Sequence, residues 1–136
     1  MNFLLDDTCS MKREIKFRAW HKTEEMFVDA KVFDFNVGVI GTSAYVSKDG
    51  RTKYRDIMQN FIVEQYTGLK DRNGIEIYEG DIVKATMVLA NGNTYETVGS
   101  ITFHEGSFKL GNYPLANYIG GEEVIGNIHE NGDLLK

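Results

Sequence analysis

Three sets of residues in this chain are of types that do chemistry, and their spacing decides what can be expected of them. The histidines are His21, His104 and His129. They lie far apart, each at or beside a polar turn, so no local pattern predicts that they converge. Cys9 is the single cysteine and falls in a weakly patterned N-terminal stretch, a poor setting for a reactive thiol. The acids Asp71, Glu76, Glu79 and Asp81 are close enough to hold a hard cation if turns gather them. Their spacing is not that of a calcium loop, and each fits a turn or a solvent-facing position. The chain has no phosphate loop, nucleophile motif or metal-spaced Cys/His set. The expectation is therefore no catalytic residue, no metal, no cofactor and no enzyme activity.

Binding chemistry is better represented. Lys16, Arg18 and Trp20 alternate along one segment, giving two cations and an aromatic on one strand face. Arg51, Lys53 and Arg55, with Lys48 nearby, form a second basic cluster. Such faces contact phosphates and stack bases. The competing reading pairs these cations with Glu14, Glu24 and Glu25 across a hairpin and packs Trp20 under a neighbouring segment. A third candidate is KLGNYPLANYIGG, where Tyr113, Leu115, Tyr118 and Ile119 surround the only proline, Pro114. Aromatic residues suit protein contacts. The alternative is that this loop folds back as a cap.

These residues need elements to place them. Glu14 to Trp20 alternates as a half-buried strand, with Ile15, Phe17 and Ala19 on one side and Lys16, Arg18 and Trp20 on the other. HKTEE is a polar turn, and Met26 to Phe35 reads as the second strand of a hairpin. RTKYRDIMQN is expected as a short helix with Tyr54, Ile57 and Met58 near one face. Phe61–Thr67, Ile75–Tyr78, Ile82–Ala90, Thr94–Phe103, Phe108–Leu110 and Val124–Ile128 are expected strands. Turns containing Asn-Gly or another glycine separate most of them. Short strands about every ten residues suggest a small barrel or sandwich.

The chain has 136 residues and a net charge of −5. That charge argues against indiscriminate nucleic-acid binding. It is unevenly spread. Residues 11–63 carry ten basic and seven acidic residues, and residues 64–136 carry five and eleven. That asymmetry can orient a partner or a second subunit. A lone cysteine rules out an internal disulfide framework. No run reaches the ~20 apolar residues of a membrane helix, and the N-terminus lacks the pattern of a secretory signal. A cytoplasmic protein with no membrane partner is expected.

The stretch QYTGLKDRNGIEIYEGDIV, Gln65 to Val83, is dense in turns and acids. Every unusual residue there has a structural use. Gly68, Gly74 and Gly80 suit turns. Asp71, Asn73 and Asp81 can bond turn backbone. Leu69, Ile75, Ile77, Ile82 and Val83 can fill a core. Together with MKREIKFRAW at 11–20 and VIGNIHEN at 124–131, it resembles the YopX family of bacteriophage and prophage proteins, from Met11 to near the C-terminus. The resemblance implies a mainly β protein with a C-terminal SH3-like barrel behind an N-terminal β-hairpin region. It also implies a phage or prophage origin in a bacterial host cytoplasm, and it makes self-association plausible. It brings no settled activity. The expected organisation is a loose extension at 1–10, a β-rich region at 11–63 and the barrel at 64–136. The expected function is a binding or assembly module, homo-oligomeric and able to meet a phage or host protein, with a nucleic-acid accessory role as the alternative.

Overall fold

The structure is a computed structural model, described here for residues 13–118 and 121–136. The expected extension at 1–10, Cys9 within it, and Ile119 lie outside the described residues. The architecture is mainly β. Twelve antiparallel strands fall among the described residues: β1 Phe17–His21, β2 Met26–Val28, β3 Ala30–Asp34, β4 Val39–Val46, β5 Thr52–Ile57, β6 Phe61–Lys70, β7 Glu76–Tyr78, β8 Asp81–Val88, β9 Thr94–His104, β10 Ser107–Leu110, β11 Tyr113–Pro114 and β12 Glu123–Asn127. They form three sheets, ordered β2-β1-β6-β7, β3-β4-β5 and β11-β10-β9-β8-β12.

Two apolar clusters hold these sheets. One gathers Ala19, Val28, Ile40, Tyr45 and Phe61 from β1, β2, β4 and β6. The other gathers Ile77, Val83, Ala85, Ile101, Leu110, Leu115 and Tyr118. Full burial of an aliphatic side chain contributes about 1.5–3 kcal/mol, so Ile40, Ile77, Ile82, Ile101 and Leu110 anchor the packing. The sequence division at 63/64 falls inside β6. The first half of β6 pairs with β1 through Phe17↔Gln65 to His21↔Phe61, and its second half meets β7 at Tyr66↔Tyr78 and Lys70↔Glu76.

Three local expectations are corrected. RTKYRDIMQN is not a helix: Thr52–Ile57 is strand β5, and only Met58–Asn60 makes a 3-10 turn. The Asp49-Gly50 turn comes immediately before it, and Ser47 N–H bonds the Arg51 carbonyl at 2.9 Å. Tyr45↔Lys53 and Val39↔Ile57 then zip β5 onto β4, so hairpin pairing overrides a weak helical period. Met26–Phe35 is not one strand. It breaks at Asp29, where Ser43 bonds both the backbone carbonyl and the carboxylate. β2 stays with β1, and β3 leaves to pair with β4. Finally, β1 is not half-buried. It is an interior strand between β2 and β6, with Ala19 and Trp20 on opposite faces and both buried. Ile15 precedes the strand and is exposed.

Candidate functional site

The densest chemistry in the fold is an ion network where β1, β6, β8 and the segment after β12 meet. Arg18 on β1 donates from Nε to Glu64 Oε1 at 2.9 Å, from Nη1 to Asp81 Oδ1 at 2.9 Å and from Nη2 to the Glu79 carbonyl at 3.0 Å. The other Glu64 oxygen lies 2.9 Å from His129 Nε2. Asp81 Oδ2 accepts the Tyr78 N–H at 2.8 Å. The guanidinium carbon sits 4.6 Å from the centre of the Phe27 ring and 4.9 Å from that of Tyr78. His129 stacks on Trp20, with ring centres 4.7 Å apart and planes within 8°.

Elementary electrostatics explains why the groups are arranged this way. Glu64, Asp81 and His129 are almost fully buried, and a buried charge is costly unless it is paired and hydrogen-bonded. Burial pushes the Asp81 carboxyl above its ordinary value, against the Tyr78 N–H and the Arg18 charge, which favour its ionised form. Gly80 makes the approach possible. Its φ is +82°, and a Cβ there would lie 2.2 Å from Glu64 Oε2. Its N–H bonds the Ile101 carbonyl, and its own carbonyl accepts the Ile128 N–H. All three sequence stretches of interest therefore converge here. The first supplies Arg18 and Trp20, the second Tyr78, Gly80 and Asp81, and the third His129.

A second polar cluster lies under the β3-β4-β5 sheet. His21 Nδ1 accepts the backbone N–H groups of Thr23 and Glu24 at 3.2 and 3.0 Å. The ring proton therefore sits on Nε2, facing Asp56 Oδ2 at 3.3 Å. Tyr45 and Asn60 donate to the same carboxylate. Burial raises the Asp56 carboxyl, but the Ile57 N–H, His21 and Asn60 outweigh it and hold it below the ordinary value. Burial, with Asp56 beside it, pushes the Tyr45 hydroxyl up to about 12. His104 is exposed and takes part in neither cluster.

The sequence-predicted residues are distributed as follows. Arg18 and Trp20 face inward and are occupied as described. Lys16 pairs with Glu14, as the reading that competed with nucleic-acid contact had it, and with Glu76, which that reading did not name. Arg51 lies near Asp49. Lys53 and Arg55 have no ion-pair partner among the described residues. Tyr113 is exposed, but Leu115 and Tyr118 are core residues, and the Tyr118 hydroxyl donates to the Leu110 carbonyl at 2.8 Å. The loop folds back over the second core, which corrects Leu115 and Tyr118 as outward contacts. The four acids do not gather. Glu76 meets Lys16, Glu79 accepts the Gln65 N–H, and Asp81 joins the network. Asp71 accepts Asn73, Ile75 and Val124 N–H groups at 2.8–2.9 Å. Among the described residues no group of three or more His, Cys, Asp or Glu side chains is placed to hold a metal. No helix among them is long and apolar enough to cross a membrane.

Glu64 and the Asp56 cluster are absent from the sequence-level candidates. The available signal was an acid in the patterned run FIVEQY, at a position that shares a strand face with Ile62 and Tyr66. Such an acid is either exposed or paired inside, and the sequence does not name the partner.

A mainly antiparallel β chain pinned by a buried Arg–Glu–Asp–His network is the class that fold and site define. The chain belongs to the YopX protein family, whose model matches residues 16–136. Among solved structures it is similar to the crystal structure of protein EF1440 from Enterococcus faecalis. The identity is 29% and the TM-score 0.63, covering 92% of this chain and 100% of that one. No curated protein matches the chain.

Proposed function

We propose that the chain is a non-enzymatic binding or assembly module that works by self-association and surface recognition. One observation carries the reading. The groups best suited to chemistry, Arg18, Glu64, Asp81, His129, His21 and Asp56, are engaged with one another in the interior. Large apolar side chains, by contrast, stand exposed on the sheets, among them Val32, Ile57 and Phe103, and Val37 stands exposed in the turn between β3 and β4. A buried ion network specifies which strands meet more than it stabilises them. Exposed apolar patches mark contact surfaces. In this reading the β6–β12 part is an SH3-like barrel presenting its edges, and Tyr113 is the member of the proline loop available to a protein partner. The family resemblance makes a phage or prophage setting, inside the bacterial cell, the natural context.

The test is sedimentation of the full chain at micromolar concentration. A discrete oligomer is the expected result, and a monomer counts against the reading. The alternative, a nucleic-acid accessory role, is favoured by one feature. β5 is a sheet edge that carries Lys53 and Arg55, with Arg51 directly before it. It predicts binding to fluorescent DNA that weakens steeply between low and moderate salt and is reduced by Arg55→Ala. Absence of binding at low salt removes it for those substrates.

A further inference from the structure

The β3-β4-β5 sheet covers the first core with one face only. On that inner face Phe33, Ile40 and Asp56 stand in one cross-strand row. The adjacent rows, Val32–Gly41–Arg55 and Asp34–Val39–Ile57, therefore project outward, because successive side chains alternate across a sheet. Burial agrees. Ile40 is fully buried, whereas Val32 is 59% and Ile57 50% exposed. Gly41 leaves the centre of this face open, and a Cβ there would touch Val32 Cβ at 3.4 Å. The adjoining turn adds Val37, 69% exposed. An antiparallel sheet facing water on one side is ordinarily polar on that side. Over these two rows the outward face is instead aliphatic, with one cation and one anion.

The positions of those charges point to an occupant. The two rows make a rectangle with Val32 and Ile57 at one pair of opposite corners and Arg55 and Asp34 at the other. Among the described residues neither Arg55 nor Asp34 has an ion-pair partner. A two-fold axis in the plane of contact, along the Val32–Ile57 diagonal, sets each aliphatic corner against its own copy. The same axis sets Arg55 of each subunit opposite Asp34 of the other. Self-complementarity of this kind is what a two-fold interface requires, and the strands then cross steeply, an established mode of sheet packing. We propose that the outward face of β3-β4-β5 is the dimer interface of this protein, a second copy being its occupant. The proposal rests on the self-association reading above and names the surface that performs it.

The experiment is analytical ultracentrifugation of the full chain and three variants, with circular dichroism to verify folding. Arg55→Asp sets like charges together at both ends of the contact, and Asp34→Lys does the same with the opposite sign. Each is expected to raise the dimer Kd at least tenfold when alone. An equimolar mixture of the two restores both ion pairs across a mixed dimer and is expected to recover association. Asp34 Oδ1 also accepts the Asn36 and Val37 N–H groups. Should Asp34→Lys unfold, Val32→Lys probes the aliphatic corner instead, with the same expected loss. Wild-type protein that associates equally well after Arg55→Asp overturns this interface and leaves the self-association reading standing. Failure of the folded pair to recover on mixing overturns it too, as does a folded Val32→Lys that stays associated. Monomeric wild-type protein overturns both.

Discussion

Gly80 and Glu64 are pressed together so closely that a single methyl on the glycine would lie 2.2 Å from the buried Glu64 carboxylate oxygen. The Gly80 peptide is bonded on both sides, to Ile101 and Ile128, so the backbone cannot retreat without breaking those bonds. Gly80→Ala must also hold a side chain at φ +82°, which costs about 1–3 kcal/mol by itself. It must displace Glu64 from Arg18 and His129 as well. The expected loss is about 3 kcal/mol or more, read as a lower urea midpoint. A midpoint within experimental error of wild type would show that Glu64 moves without consequence.

Arg18 is the only cation within bonding distance of both Glu64 and Asp81 among the described residues. Removing it leaves two buried carboxylates, and breaking a buried pair from one side costs about 3–5 kcal/mol. The loss depends on pH with a definite sign. Burial already raises the Asp81 carboxyl above its ordinary value, and Arg18→Ala raises it further. A carboxyl whose folded value exceeds its unfolded value favours the fold below the unfolded value. That contribution disappears as pH rises through the folded value. The gap between wild type and Arg18→Ala is therefore expected to be widest at neutral pH and to narrow toward about pH 4. Urea midpoints at the two ends of that range check it, and a constant gap would mean the acids are not the source of the loss.

The sequence made the C-terminal half legible because its strands alternate with turns that have their own chemistry. Asn73-Gly74 and Asn91-Gly92 supply the positive φ that ends one strand and begins the next, and β8, β9 and β10 begin and end within about three residues of expectation. The N-terminal half was harder to read. Nothing local in Met26–Phe35 announces that β2 and β3 join different sheets, since the break at Asp29 depends on Ser43, fourteen residues away. RTKYRDIMQN carries only a weak helical period, and its partner strand β4 overrides it. Lys16, Arg18 and Trp20 were readable as a group with one outward face. The burial of Arg18 and Trp20 depended on Glu64, Asp81 and His129, each from another part of the chain, while Lys16 stays partly exposed beside Glu14 and Glu76. Charge patterns along a strand show which side chains travel together, and the fold decides whether they meet water.

Asp71 offers the opposite pH signature to Asp81. Burial pushes its carboxyl up, but the Val124, Ile75 and Asn73 N–H groups together hold it below the ordinary value. A depressed acid contributes stability above its unfolded value, and the contribution is lost as pH falls through the folded value. Asp71→Ala orphans three donors at about 1 kcal/mol each. A loss of about 2–3 kcal/mol is expected at neutral pH, shrinking below about pH 4 as the wild-type carboxyl protonates. Because Oδ2 reaches Val124 on β12, the amide of Val124 is expected to lose hydrogen-exchange protection in the variant. Unchanged protection there would limit the role of Asp71 to its own turn.

His129 makes two separable interactions, a stack on Trp20 and a bond to Glu64. Trp20 is the only tryptophan, so its fluorescence reports this site without interference. His129→Ala removes both interactions and uncovers one indole face, so a red-shifted emission and a loss of about 2–3 kcal/mol are expected. His129→Phe keeps a ring over Trp20 and leaves one Glu64 oxygen without its partner. Its emission is expected to stay near that of wild type while stability falls by about 1–3 kcal/mol, the cost of an unsatisfied buried acceptor. Emission maxima and urea midpoints measured together separate the two effects. If His129→Phe matches wild type in both, the stack alone fixes the C-terminal segment to β1 and the bond to Glu64 is dispensable.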